Sequence, residues 1–303
     1  MEKSKKAVLL LPLISGTFWG TTGIFVRLLT EAGFNSQTIL FSRTLVASAV
    51  LFLLILLINP SLLKIRLKDL WIFLFGGVMG TLMLNLCYNA SINRLTLSLS
   101  AVLLSLSPFF VMFLAAILFH EKITFQKIGC MLFAFLGCIL VSGVLEQTFT
   151  HRWSAAGIAI GVLSAVFYAI YSISSRTAMN KGYHALTVTF YCMFFVALLL
   201  SFFSDWQVLG QMIQDTPAKS IGFLLLHGIC TSVFPYALYT YSLRYIETSK
   251  ASMLVSVEPV AAMIFGALLF SEIPSPLSVL GLVITVTALC LLCVPKRNKG
   301  QTS

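Results

Sequence analysis

Residues 107–121 read SPFFVMFLAAILFHE, and residues 258–272 read EPVAAMIFGALLFSE. The two stretches align without a gap at an offset of 151, pairing Pro108 with Pro259, Phe119 with Phe270 and Glu121 with Glu272. Upstream at the same offset, Tyr88 pairs with Tyr239, Ser98 with Ser249 and Ser105 with Ser256. Near the start of each half an offset of 149 pairs Ser15 with Ser164, Phe18 with Phe167, Trp19 with Tyr168, Arg27 with Arg176 and Gly33 with Gly182. Apolar matches alone carry little weight, because membrane helices share a composition. Matched Pro, Glu, Gly and Arg at nearly constant spacing point to a duplicated unit.

The chain has 303 residues, of which 58% are hydrophobic and 10% charged, with a mean hydropathy of +0.96. A soluble domain carries about 25% charged residues. So few charges cannot cover a folded chain of this length in water, so the bilayer is read as its main solvent. Cutting at charges and turn signals leaves ten apolar segments of about 20 residues, the length of a membrane crossing. They are 7–30, 36–58, 69–92, 96–119, 125–145, 154–176, 184–204, 219–243, 250–271 and 276–294. Residues 7–26 lack Asp, Glu, Lys and Arg, a stretch longer than the usual signal-peptide core of about 7–15 residues, and read as a retained first span. The expected fold is an all-α integral membrane protein of ten transmembrane helices. Two five-helix repeats, 7–145 and 154–294, precede a basic tail at 295–303.

If both termini are cytoplasmic, the inner segments hold 15 Lys and Arg residues and the outer loops hold 3, Arg94, Arg152 and Lys219. This is the positive-inside pattern. Five spans per half is an odd number, so the second half must enter from the opposite side. The first long loop carries Lys64, Arg66 and Lys68, while its counterpart carries Asp205, Asp215 and Lys219. The reading is an inverted-topology repeat, an architecture that places a substrate site at the midplane between the repeats. The basic charge is scattered through short loops and forms no tract that could follow a nucleic acid backbone. The seven cysteines lie in apolar runs without metal-ligand spacing, so neither a structural disulfide nor a metal or other cofactor is expected.

A carboxylate inside a span costs about 2.5–3.5 kcal/mol. Glu258 lies 8 residues past Lys250, roughly 12 Å into the core at 1.5 Å per residue. It is expected to face the bundle interior as a substrate contact or a site of coupling to protons, or else to serve as a hydrogen-bonded structural group. Pro259 removes a helix hydrogen bond beside it, which should free the carbonyl near Val255 as a spot for a cation. Pro108 and Pro259 are read as matching helix breaks. Arg43 either snorkels to the interface or points at a substrate carboxylate or Glu258; Arg27 reads as an interfacial anchor. Trp19 is mid-span. Asn85, Tyr88 and Asn89 share one helical face by their spacing, as do Tyr168, Tyr171 and Ser172. His227 precedes Tyr236 and Tyr239 in the eighth span. Aromatics interleaved with a few polar groups suit an amphipathic organic solute, although helix-to-helix hydrogen bonding explains the same residues. Glu121 and Glu272 are expected to accept N–H bonds at the start of the following helix. Gly129, Cys130 and Gly137 should mark close packing, with spans five and ten at the periphery or at a homodimer contact.

Five plus five spans, Trp19-Gly20, Arg43, the Pro…Glu pattern closing spans four and nine, and Glu258-Pro259 together resemble the EamA family of the drug/metabolite transporter superfamily. The resemblance covers about residues 8–294. It implies a ten-helix bundle around a central cavity in the bacterial inner membrane, moving small metabolites and often exporting them. No catalytic constellation or nucleotide-binding motif stands beside it, so the expected function is secondary transport of amino acids or related compounds, driven by a gradient. The alternative is a non-transporting membrane sensor or assembly subunit.

Overall fold

The computed structural model describes residues 2–146, 154–271 and 273–294, and all regular structure among them is helical. The first half contains α1 (Glu2–Gly20), α2 (Thr22–Glu31), α3 (Ser36–Ile58), α4 (Leu70–Leu74), α5 (Leu84–Ile92), α6 (Leu97–Leu104), α7 (Ser107–Phe119) and α8 (Phe125–Val141). The second contains α9 (Ala155–Asn180), α10 (Ala185–Leu200), α11 (Trp206–Asp215), α12 (Pro217–Gly228), α13 (Phe234–Ser242), α14 (Thr248–Leu254), α15 (Glu258–Phe270) and α16 (Pro276–Cys293). Among the described residues, eight continuous or kinked helical segments are long and apolar enough to cross a membrane. The other two apolar helices are shorter than the sequence suggests. Helix α8 stops after 17 residues before Gly143, whose φ is +69°, and α10 stops after 16, ahead of the Asp205 cap of α11.

The duplication extends to the irregularities. A π-helical stretch, Phe75–Met83, joins α4 to α5, and another, Ile229–Val233, joins α12 to α13. The fourth segment breaks between α6 and α7, and the ninth passes through a 3-10 turn, Val255–Val257, between α14 and α15. Pro108 and Pro259 open the second helix of each pair, where a missing N–H costs nothing. Gly33 and Gly182 share a φ of +88°, and His120 and Ser271 share a φ of +54° at matching helix ends. Thr124 and Ser275, 151 apart, cap α8 and α16 by accepting the N–H three residues on.

Contacts between the halves are reciprocal. The first segment packs on the eighth and ninth, as the sixth packs on the third and fourth. The second meets the seventh, the fourth the ninth, and the fifth the tenth. The fifth and tenth pack on each other inside one chain. A Cβ at Gly137 would lie 2.8 Å from the Gly281 carbonyl and clash with Thr285, and one at Gly281 would lie 2.6 Å from the Gly137 carbonyl. Gly129 faces open space, so of the two glycines only Gly137 marks a contact.

Two further features differ from the sequence reading. Asp205 is a helix cap whose carboxylate accepts the N–H groups of Gln207 and Val208, starting an amphipathic α11 that buries Leu209. The short polar-apolar alternation in this stretch looks like a loop when its packing face is unknown. Glu121 does not hold the start of the following helix. It accepts the N–H groups of Thr248 and Ser249 and the Ser249 hydroxyl, at 2.6, 3.0 and 2.6 Å, and so caps α14 of the other half. Beside it, buried Lys127 pairs with Glu247 and donates to Ser249 and to the Lys122 carbonyl. Glu272 lies outside the described residues.

Gly137→Leu should drive α8 and α16 apart and lower Tm in detergent, at an overpacking cost of about 1–3 kcal/mol, whereas Gly129→Ala should leave Tm unchanged. Glu121 supplies a pH signature. Burial raises its pKa, but the bonds from Ser249 and Thr248 outweigh burial and hold the carboxyl below its ordinary value. A depressed carboxylate stabilises the fold above its unfolded pKa, about 4.3, and loses that contribution as pH falls towards the folded value. Thermal unfolding of Glu121→Gln should therefore start below wild type at pH 7, and the gap should narrow as pH drops below about 4.

Candidate functional site

The residues singled out in the sequence come from helices of both halves. Trp19, at the end of α1, stands against three tyrosines of the second half. Its ring centroid is 5.0 Å from Tyr236, 5.8 Å from Tyr239 and 6.3 Å from Tyr168. Tyr171 completes the group, 5.1 Å from Tyr236 and stacked on Tyr239 at 6.3 Å. Two tyrosine hydroxyls are committed to structure: Tyr171 bonds Thr240 at 2.9 Å, and Tyr239 donates to Ser172 at 2.8 Å. The Tyr168 hydroxyl is buried beside that of Tyr239, their ring centroids 6.3 Å apart.

The first half supplies a polar wall. Arg43 on α3 is 7% exposed and donates to the Asn85 side-chain oxygen at 2.8 Å, while the Asn85 amide donates back to the Thr81 carbonyl at 2.8 Å. Arg43 therefore points into the bundle rather than snorkelling to the interface. Asn85 is held by the π-helical stretch that precedes α5. That stretch sits close to the second half because Gly80 has no side chain: a Cβ there would be 2.7 Å from the Tyr171 Cα.

Glu258 opens α15 at the break in the ninth segment. It is partly exposed. It lies within electrostatic range of Arg43, Tyr88, Tyr168 and Tyr236, which come from four other helices, so it faces the bundle interior. No ion pair joins Glu258 to Arg43 among the described residues. The two groups are electrostatically coupled without an ion pair between them.

The Val255 carbonyl is not free for a cation. The Glu258 N–H occupies it through the 3-10 turn, and the first helix covers it, since a Cβ at Gly16 would be 2.7 Å from that oxygen. Tightening to 3-10 geometry is an ordinary way to satisfy carbonyls at a helix end. Gly20 presses on the same break, where a Cβ would lie 2.9 Å from the Glu258 carbonyl and 2.7 Å from the Ala261 Cβ.

Two expected residues stand apart from the aromatic cluster. His227 is fully buried with neither ring nitrogen hydrogen-bonded among the described residues; it stacks on Phe25 at 5.1 Å and is within electrostatic range of Arg43. Asn89 lies one turn beyond Asn85 on α5, and no hydrogen bond engages its side chain among the described residues. Thr81 and Thr240, which orient Asn85 and Tyr171, were not legible in the sequence. A lone threonine in an apolar helix carries no spacing signal, and its partner is fixed only by the fold. Arg27 makes a 3.5 Å contact with Glu31 and stacks over Phe270 at 4.3 Å, as an anchor at a helix end does.

The EamA-like transporter family profile matches residues 5–143 and 155–294, once per half. An uncharacterized transporter of Archaeoglobus fulgidus is 28% identical over 258 residues, covering 84% of this chain and 87% of that protein. The uncharacterized transporter YdfC of Bacillus subtilis is 26% identical, covering 88% and 85%. The pseudopaline exporter CntI of Pseudomonas aeruginosa is 26% identical over 304 residues, covering 98% and 99%. A solved crystal structure superposes with a TM-score of 0.76 at 16% identity, covering 94% of this chain and 96% of that one, which shows a shared fold. Multiple apolar helices, a duplicated architecture and a family match in each half agree, and the chain belongs to the EamA-like transporter family.

Proposed function

We propose that this protein is a gradient-driven exporter of small metabolites, amino acids or related compounds, working by alternating access in the bacterial inner membrane with both termini in the cytoplasm. The observation that carries the reading is the convergence of Trp19, Arg43, Tyr168, Tyr236 and Glu258 from both halves beside the break in the ninth segment. A guanidinium and a carboxylate set in an aromatic-walled region match a solute carrying both charges, or two polar ends on an apolar body. The reciprocal contacts between the halves favour two repeats of five spans, related by an axis in the membrane plane. Two such units can rock about the fixed site, exposing it to one side and then the other. The excess of Lys and Arg on one set of loops favours cytoplasmic termini. Similarity to a named exporter supports the outward direction. A proton is the natural coupling ion, since Glu258 is an ionisable group set inside the bundle.

The test is transport in proteoliposomes containing the purified chain, using solutes chosen by comparing the medium of over-expressing and deletion strains. For a solute the wild type carries, Glu258→Gln and Tyr168→Ala should each cut the rate by about tenfold or more, the size expected for losing a partner to a charged or buried polar group. Unchanged flux in both variants would remove this site from the transport path. In a background lacking the native cysteines, a cysteine at position 258 should react with aqueous thiol reagents. Protection from both sides would favour a non-transporting sensor or assembly subunit.

A further inference from the structure

The basic loop LKIRLK, residues 63–68, serves in the sequence reading only as a marker of sidedness, yet the fold builds it into a pocket. After α3, the chain makes two short 3-10 turns, Pro60–Leu63 and Leu67–Asp69, that lie against the junction of α9 and α10. The loop is clamped there. Thr187 donates to the Leu62 carbonyl at 2.8 Å, Tyr191 donates to the Leu63 carbonyl at 2.7 Å, and the Arg66 N–H donates to the Tyr183 hydroxyl at 3.1 Å. That hydroxyl donates in turn to buried Asp69, which Lys181 also engages. A cavity of about 260 Å³ remains between the halves, with Lys64, Arg66, Lys181, Tyr183, His184 and Thr187 among its lining residues.

The charge of this pocket is lopsided. Lys64 and Arg66 make no ion pair or side-chain hydrogen bond among the described residues. Arg244 lies within electrostatic range of His184, and Lys68 within range of Asp69. Asp69, at the end of the loop, is paired with Lys181. Like charges gathered on a clamped loop repel one another, and an anion in the cavity relieves that cost. The corresponding loop of the second half carries Asp205 and Asp215 and folds into α11, so the basic character of this loop is not repeated there.

Apolar side chains within and on either side of this loop in the chain are exposed. Leu57 and Leu67 are 83% and 85% exposed, Ile58 is 64% exposed, and Trp71 is 56% exposed at the start of α4. An exposed tryptophan beside basic residues marks the level of lipid headgroups. Basic pockets between transmembrane helices bind phosphate-bearing headgroups.

We propose that the pocket between residues 61–66 and residues 181–187 binds a phosphate-bearing anion, supplied as the headgroup of an anionic lipid, and thereby ties the first half to the second. Lys64 and Arg66 hold the phosphate, and the lipid chains lie along Leu57, Ile58, Leu67 and Trp71. This site is separate from the Arg43 and Glu258 region and does not depend on the transported solute.

The test uses the full chain in an uncharged detergent, with thermal unfolding followed during titration of three probes: short-chain phosphatidylglycerol, short-chain phosphatidylcholine and inorganic phosphate. Phosphatidylglycerol should raise Tm saturably. The double variant Lys64→Gln/Arg66→Gln should need about ten- to thirtyfold more phosphatidylglycerol for half of that effect, while Lys219→Gln should titrate as wild type. Both substituted side chains are exposed and unpaired, and the single variant Lys64→Gln should give an intermediate midpoint. Equal stabilisation by phosphatidylcholine, or an unchanged midpoint in the double variant, overturns the proposal. Saturation by inorganic phosphate at the midpoint of phosphatidylglycerol overturns the lipid source and makes the occupant a soluble phosphate.

Discussion

The close approach of the first helix to the break in the ninth segment is the contact on which the arrangement depends. A helix interrupted inside a bilayer exposes backbone groups that hydrocarbon cannot satisfy. Here the 3-10 turn Val255–Val257 lets the Glu258 N–H take the Val255 carbonyl, and Gly16 and Gly20 lay the α1 backbone directly over the turn. With the break shielded in this way, the ninth segment can change direction and present Glu258 to the interior. Trp19, between those glycines in the chain, is carried by the same contact into the tyrosines of α9 and α13. Any side chain at Gly16 or Gly20 would separate α1 from α15 and disturb the charge and the aromatic wall together.

The same device recurs through the bundle. Apolar side chains gain little from leaving lipid for one another, so helices associate through close packing of small residues and interhelical hydrogen bonds. Gly77 fits against Cys192, Gly80 against Tyr171, and Gly137 against Gly281. Each pair joins a helix of the first half to one of the second. Polar contacts follow the same division, with Glu121 capping α14 and Lys181 meeting Asp69. The halves are held by a seam of glycines and a few polar clasps near the helix ends, while the middle of the seam holds the aromatic and charged groups.

Much of the architecture was legible because duplication leaves its mark on residues that lipid does not dictate. Pro108 and Pro259 announced the matching breaks, since a helix start tolerates a missing N–H, and Gly33 and Gly182 stood out as a repeat pair whose shared positive φ only the structure revealed. Trp19, Tyr168, Tyr171, Tyr236 and Tyr239 were legible as a group because an aromatic-polar face repeats at helical spacing. What failed was orientation and partnership. Arg43 could equally have snorkelled, and only its bond to Asn85 places it inside. Gly129 and Gly137 looked alike until the crossing with α16 selected one. Glu121 was expected to cap the next helix in the chain and instead caps one more than 120 residues away.

The sequence by itself determined that the chain lives in a membrane, that it is written twice, and that its fourth and ninth segments break at matching prolines. Those properties follow from hydropathy, internal identity and the local stereochemistry of Pro, none of which requires knowing what touches what. The tertiary structure decided which side chains meet: that Val255 is covered rather than free, that Glu258 and Arg43 share one interior without touching, and that the basic loop closes into a pocket. Contacts between residues more than a hundred positions apart depend on helix rotation and crossing, and glycine contacts between the halves set these. Hydropathy, which treats each segment alone, carries no information about them.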